Sequence, residues 1–338
     1  MLKLNFVIIF FLIYFNLISS DVFSQDNRII ENYKLEIIQD VLLSDHEIFK
    51  PYLLDISENR WIVFFDFARY ELVVYNLADN VFQFYGNRGK GPKEFGQIFD
   101  LKAGGNDEIF LIDTGNNKMI RWNVEGRFLG EFATGSSSIR PARFTVCKDS
   151  NLIYILSSQY SSNGIIHQFE KNGNLRQSFY EPEVKDIRLV YYTDGSLECD
   201  QEGNLYYSTL YVNKIRKYSN NGKLVYDMPV YDSSPNEEIV KVDGRLANLN
   251  PSATRYSGDI YYMNGKLYVG YSGRARNHFR LIDVYLDSKQ EYLHSIQLPF
   301  EFQEFVIDEE RIIIFREDEN GEMYLTIFEY EYEREKTD

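Results

Sequence analysis

The stretch from Phe84 to Phe132, FYGNRGKGPKEFGQIFDLKAGGNDEIFLIDTGNNKMIRWNVEGRFLGEF, constrains the fold more than any other, because it holds one complete copy of a unit repeated more loosely elsewhere. A glycine-rich, basic connector at 86–96 leads into three short apolar runs at 98–103, 108–113 and 118–124, then a fourth at 128–132. The runs are separated by Gly104-Gly105-Asn106-Asp107, Thr114-Gly115-Asn116-Asn117 and Glu125-Gly126-Arg127. Gly, Asn and Asp tolerate the positive φ that tight hairpins need, so four short strands joined in order form an antiparallel meander. Such a meander is one propeller blade.

The same grammar marks the rest of the chain. Turn-bearing residues Asn59, Asp107, Asn151, Asn204, Gly265 and Glu310 follow one another at intervals of 48, 44, 53, 61 and 45, within the period of propeller arrays. Blade 1 is expected at 51–85, blade 2 at 98–132, blade 3 at 143–179, blade 4 at 196–228, and blade 5 at 258–298. Blade 6, at 301–330, is one strand short, while the strand-like segment 33–40 (YKLEIIQD) has no hairpin partner. Each deficit explains the other: an N-terminal strand completing the last blade closes the ring and leaves no long exposed edge. The expected fold is all-β, a six-bladed β-propeller of four-stranded antiparallel blades. With 27 Tyr, 25 Phe and 8 Pro, and no long stripe of 3.6-residue period, the composition agrees.

Lys3 followed by the apolar run 6–18 reads as a signal peptide over 1–24, the run being shorter than the ~20 residues of a membrane helix. An uncleaved anchor is the other reading. Residues 25–338 then make a single propeller domain, exported to the periplasm or the exterior, with a long polar insertion at about 229–254. The net charge of −15 argues against nucleic acid, whose phosphates demand a basic stripe. Cys147 and Cys199 fall at matching places in neighbouring repeats. A disulfide is one reading, but equivalent positions on adjacent inner strands are expected to lie beyond the Cα separation of ~4.4–6.8 Å that a bridge requires. Two buried thiols are therefore expected.

The phrases GNRGKGPKEF and EIFLIDTGNNKMIRWNVEGRFLGEF resemble an NHL repeat, with its Gly-rich connector, its core of the form VaDtgNnR and its closing dpdGkf-like turn. Over its whole length the chain resembles the six-bladed TolB-like and NHL-like propellers of secreted bacterial proteins. The resemblance implies architecture more than activity, since that fold hosts lyases, hydrolases and pure binding proteins.

In a propeller built of meanders, the loops between second and third strands and those between blades open on the same end of the ring. On that end the sequence places Arg69, Arg88, Arg140, Arg143, Tyr192, Tyr211, Arg255, Arg274, Arg276 and His278 as candidate ligand-binding residues. Arginines fork to carboxylate, sulfate or phosphate and tyrosines offer stacking faces, so an anionic or sugar-like ligand is expected there. The partner is a small molecule, a glycan or a protein, and the chain is expected to be a monomer.

The connector Gly86–Pro92 lacks the Gly-Lys-Ser/Thr ending of a phosphate loop, and Asp113–Asn117 lacks the repeated acids of a calcium loop. The four histidines, His46, His167, His278 and His294, show no metal-ligand spacing, so no metal or cofactor is expected, although a ligand set assembled from different blades stays open. Binding is the expected activity. A lyase or hydrolase with a metal or an acid–base pair at the channel mouth is the alternative.

Overall fold

A computed structural model of the chain describes residues 28–31, 33–134, 139–158, 164–180, 194–209, 214–231, 239–242, 245–249, 259–271 and 280–332. The signal segment read over 1–24 lies outside them. Six four-stranded antiparallel sheets make the ring. Blade 1 comprises Pro51–Ile56, Trp61–Asp66, Glu71–Asn76 and Val81–Tyr85, and blade 2 comprises Ile98–Ala103, Glu108–Asp113, Lys118–Asn123 and Phe128–Ala133. Blade 3 follows with Pro141–Val146, Leu152–Ser157, Ile166–Glu170 and Leu175–Phe179, and blade 4 with Gly195–Cys199, Leu205–Thr209, Lys214–Tyr218 and Leu224–Pro229. Blade 5 contains Ile260–Met263, Lys266–Tyr271, Leu281–Leu286 and Glu291–Gln297.

Blade 6 takes Glu304–Ile307, Arg311–Glu317 and Met323–Tyr332 from the C-terminal part of the chain, and its fourth, outermost strand is Tyr33–Leu42. That strand runs antiparallel to Met323–Tyr332 in a register that begins Tyr33↔Tyr332 and reaches Leu42↔Tyr324, with a bulge at Ile37/Gln39. The ring is closed as the orphan segment and the short last repeat require.

The core is a series of layers between neighbouring blades. Val63, Phe65 and Val74 of blade 1 meet Leu101, Ile109 and Leu111 of blade 2; Phe110 and Met119 of blade 2 meet Phe144 and Ile153 of blade 3. Equivalent layers join blades 3 and 4 and blades 4 and 5, and one cluster spans blades 5, 6 and 1. Alternate strand residues face opposite sides of a sheet, so each middle strand, buried on both faces, reads as a continuous apolar run such as Ile312–Phe315. Each large buried side chain contributes ~1.5–3 kcal/mol.

The repeat signature is structural. Asp113 accepts hydrogen bonds from the backbone of Gly96 at 2.7 Å, Gln97 at 2.8 Å and Asn116 at 3.1 Å, so it ties the incoming connector to its own hairpin. Asp66 does the same in blade 1, accepting from Lys50 at 3.0 Å and Ala68 at 2.9 Å, and Ser157 accepts from Arg140 in blade 3. In the connector, Gly86 adopts a φ of 76°, and any side chain there would run into the buried ring of Phe95, which anchors the segment.

Two expectations need correction. Cys147 and Cys199 form a disulfide with a Cα–Cα distance of 5.2 Å. They end the innermost strands of blades 3 and 4, and blades radiate from the axis, so adjacent inner strands approach one another far more closely than outer ones. The 229–254 segment is also more than a polar connection. It carries an antiparallel hairpin of Ile239–Val242 and Arg245–Leu249.

Candidate functional site: the central channel

The innermost strands line the axis, and their register stacks channel-facing residues in two layers. Asp113, Ser157 and Thr209 pair with Ile98, Pro141 and Gly195 at the strand starts, which makes Asp100, Arg143 and Ser196 equivalent. Asp259 and Glu304 complete this upper layer, nearest the loop-bearing end. Two residues further on lie Lys102, Thr145, Glu198 and Tyr261, and Asp55 of blade 1 joins them.

Several of these groups clamp one blade to the next. Asp55 accepts the Ala103 N–H at 2.8 Å, Asp100 the Phe144 N–H at 2.8 Å, and Glu304 the Leu54 N–H at 2.7 Å. Ser196 takes the same role toward Ile260 at 3.3 Å. A carboxylate in the channel thus satisfies a backbone donor that the radial geometry leaves without a strand partner.

Burial sets the electrostatics. It pushes the Asp100 carboxyl up to about 6 against the pull of Arg143 and Lys102, and the Glu198 carboxyl up to about 7. Glu304 also rises to about 7, through burial and the neighbouring Asp259 charge. Burial disfavours the Lys102 ammonium, but Asp55, Asp100, Glu198 and Asp259 outweigh it and hold its pKa above the ordinary lysine value.

Cavities lie toward both ends of the channel. On the loop-bearing end a cavity of about 580 Å³ is lined by Lys50, Tyr52, Phe67, Arg143, Asp194, Gln303 and Glu304, among others. A small cavity of about 60 Å³ follows around Asp100, Arg143, Asp259 and Glu304. At the opposite end lies a chamber of about 290 Å³ whose walls include Asp55, Lys102, Glu198, Tyr261 and Tyr262.

Of the residues named from sequence, Arg143 reaches the loop-bearing mouth. Its guanidinium lies over Phe99 at 5.7 Å, donates a long hydrogen bond of 3.5 Å to the Phe99 carbonyl, and stands 3.9 Å from Asp194. Arg69 is engaged at the rim of blade 1, between Glu71 at 2.7 Å and Glu47 at 2.9 Å and over the Phe84 ring. Arg88 sits over Tyr70 at 5.2 Å on the connector, and Arg140 opens blade 3 through its backbone bonds to Ser157 and Ser158. Tyr192, Tyr211, Arg255, Arg274, Arg276 and His278 lie outside the described residues.

The described histidines stand away from the axis. His46 packs on Phe82, His167 bonds Ser178 at 2.7 Å inside blade 3, and His294 bonds the Tyr33 hydroxyl at 2.8 Å. Among the described residues no three His, Cys, Asp or Glu side chains converge to hold a metal ion. Sequence reading missed the channel set of Asp55, Asp100, Lys102, Glu198 and Asp259. Its signal is a polar residue at every second position of an otherwise apolar first strand, as in Asp100-Leu101-Lys102 and Ser196-Leu197-Glu198.

Solved structures share this architecture at low identity. A protein of Bacteroides fragilis described as a candidate exported protein is similar with a TM-score of 0.58 at 13% identity, over 89% of this chain and 96% of its own. A member of the DUF4221 family from Bacteroides vulgatus gives 0.58 at 11%, over 90% and 99%. Virginiamycin B lyase from Staphylococcus aureus gives 0.53 at 14%, over 87% and 99%. At such identities the likeness is one of fold alone. Among curated proteins no sequence matches the chain significantly. No helix among the described residues is long and apolar enough to cross a membrane. A family model described as a 6-bladed beta-propeller matches residues 43–283, and the chain therefore belongs to this family, DUF5128.

Proposed function

We propose that this is an exported, ligand-binding propeller whose loop-bearing mouth receives an anionic or carbohydrate-like ligand, with Arg143 as its anchor. The observation that carries the reading is the Arg143 guanidinium. It lines a cavity of about 580 Å³, and among the described residues its polar contacts are a 3.5 Å hydrogen bond and a 3.9 Å ion pair, which leave most of its donor fork for a ligand. The volume lies within the ~300–1,000 Å³ of small-molecule sites. Tyr52 and Phe67 supply ring faces beside it. Arg140, Tyr192, Tyr211, Arg255, Arg274, Arg276 and His278 belong to the loops expected around this mouth, with Arg69 and Arg88 further out.

Binding is favoured over turnover because Asp55, Asp100 and Glu304, the carboxyls best placed for acid–base work, already accept backbone N–H groups of the next blade. The disulfide supports export, since such bonds persist in oxidising compartments. A thermal-shift screen of sugar acids, sulfated sugars and neutral sugars tests the proposal. The expected result is a ligand that stabilises the protein and whose affinity falls at least tenfold in Arg143→Met and in Arg274→Glu/Arg276→Glu. Affinity unchanged in both variants would remove the reading.

A further inference from the structure

The chamber at the opposite end of the channel has its own chemistry. Lys102 is 8% exposed, so nine-tenths of it is buried, yet among the described residues its ammonium has no hydrogen-bond acceptor or carboxylate at ion-pair distance. Nζ lies over the Tyr261 ring, 5.5 Å from its centroid. The side chain lines both this chamber and the small cavity above it, so the ammonium is aimed into the axis. The side chain is largely buried but Nζ itself keeps accessible surface, so its three donors open onto the channel space rather than onto acceptors of the protein. The carboxylates around it hold it in the charged form.

The other walls narrow the chemistry that can supply those acceptors. Asp55 already accepts the N–H groups of Ile56 and Ala103, and Arg60 is paired with Glu310 at 2.7 Å. Carboxylates outnumber cations along the walls, which disfavours a phosphate, sulfate or carboxylate ligand, while the Lys102 charge disfavours a cation. Tyr262, stacked on Tyr206 with ring centroids 4.9 Å apart, presents a fixed aromatic wall. At about 290 Å³ the chamber stands at the lower end of ligand-site volumes, ~300 Å³, which suits a small molecule.

We infer that the lower chamber is a second binding site, for a neutral polyhydroxylated molecule of monosaccharide size whose hydroxyl oxygens accept from Lys102. Hydroxyls both donate and accept, so the same ligand answers the ammonium and the Glu198 carboxyl facing it. This site stands apart from the proposed Arg143 mouth.

The test uses D-glucose, D-galactose and D-mannose as probes, with D-glucuronate and D-glucosamine as charged contrasts. The full exported chain carries ε-13C-labelled methionine. Met263 lines the chamber, whereas Met119 and Met228 are buried between blades. In the wild-type protein a neutral hexose should shift the Met263 methyl resonance saturably at millimolar concentration and leave Met119 and Met228 in place. Lys102→Met should weaken that binding at least tenfold, and Arg143→Met should leave it within twofold. The inference is overturned if no neutral hexose moves the Met263 signal, if glucuronate binds more tightly than every neutral probe, or if a folded Lys102→Met binds as the wild type does. Loss of the Met263 response in Arg143→Met alone would also overturn it, by assigning the ligand to the upper mouth.

Discussion

Glu304 shows how a single side chain here joins structure to pH. Its carboxyl accepts the Leu54 N–H at 2.7 Å across the junction of blades 6 and 1, and burial with the nearby Asp259 charge raises its pKa to about 7. The folded state therefore keeps this proton where an unfolded glutamate, with a pKa of ~4.3, has released it. Stability attributable to Glu304 is full below that value and declines as pH rises toward about 7. In Glu304→Gln the amide oxygen still accepts from Leu54 and the titration is gone. The stability of the variant relative to the wild type should be greater near pH ~8 than near pH ~5, by about 2–3 kcal/mol. Urea unfolding at both pH values measures this, and parallel stability differences at the two would contradict it. At this scale the sequence was only partly legible. Asp113-Thr114-Gly115-Asn116 announces a hairpin, and Asp113 indeed bonds that turn. That Asp55, Asp100 and Glu304 would clamp successive blades depends on which strand faces the axis, and composition does not carry that information.

Individual elements were legible where turn chemistry is strong. Glu125-Gly126, Asn172-Gly173 and Asn221-Gly222 each turn the chain with a glycine at positive φ, and the outermost strands of blades 2, 3 and 4 begin two residues after that glycine, at Phe128, Leu175 and Leu224. The hairpin at 239–249 was legible but passed over: IVKV and RLANL are separated by Asp243-Gly244, a two-residue hairpin signal, within a stretch whose mixed charge reads as a polar connection. The disulfide was missed because adjacent inner strands were expected to stand beyond bridging distance, whereas near the axis Cys147 and Cys199 approach to a Cα–Cα distance of 5.2 Å. The bridge closes a loop of 52 residues between two blades. Replacing both cysteines, as Cys147→Ser/Cys199→Ser, should lower stability by about 2–4 kcal/mol. Denaturant titration with and without reductant checks it. A wild-type midpoint insensitive to reduction, with full reduction confirmed by thiol counting, would contradict the stabilising role.

For the molecule as a whole, the ring works because residues near one end of the sequence supply the strand that residues near the other end lack. Tyr33, Leu35 and Val41 pack against the cluster that joins blades 5, 6 and 1, and Arg28 extends the seam onto blade 5 through a buried ion pair with Asp283 at 3.1 Å. Without this strand the Met323–Tyr332 edge would present unpaired backbone groups, a template for aggregation. The closure could be foreseen because counting strands exposes a deficit and a surplus of one. The binding end could be foreseen only as a set of loops, since the charge balance at the channel depends on side chains brought together from six repeats. Oxidative cross-linking across the seam tests the closed ring most directly. Glu36 and Glu329 face each other in the register and are both exposed, so cysteines placed there stand at the ~4.5–5.5 Å Cα spacing of opposed strand residues, within bridging range. The account predicts that Glu36→Cys/Glu329→Cys forms an intramolecular disulfide in the monomer, whereas Glu36→Cys/Glu125→Cys does not. A monomer in which the first pair stays reduced under oxidising conditions would contradict the closure, and with it the channel on which both proposed sites depend.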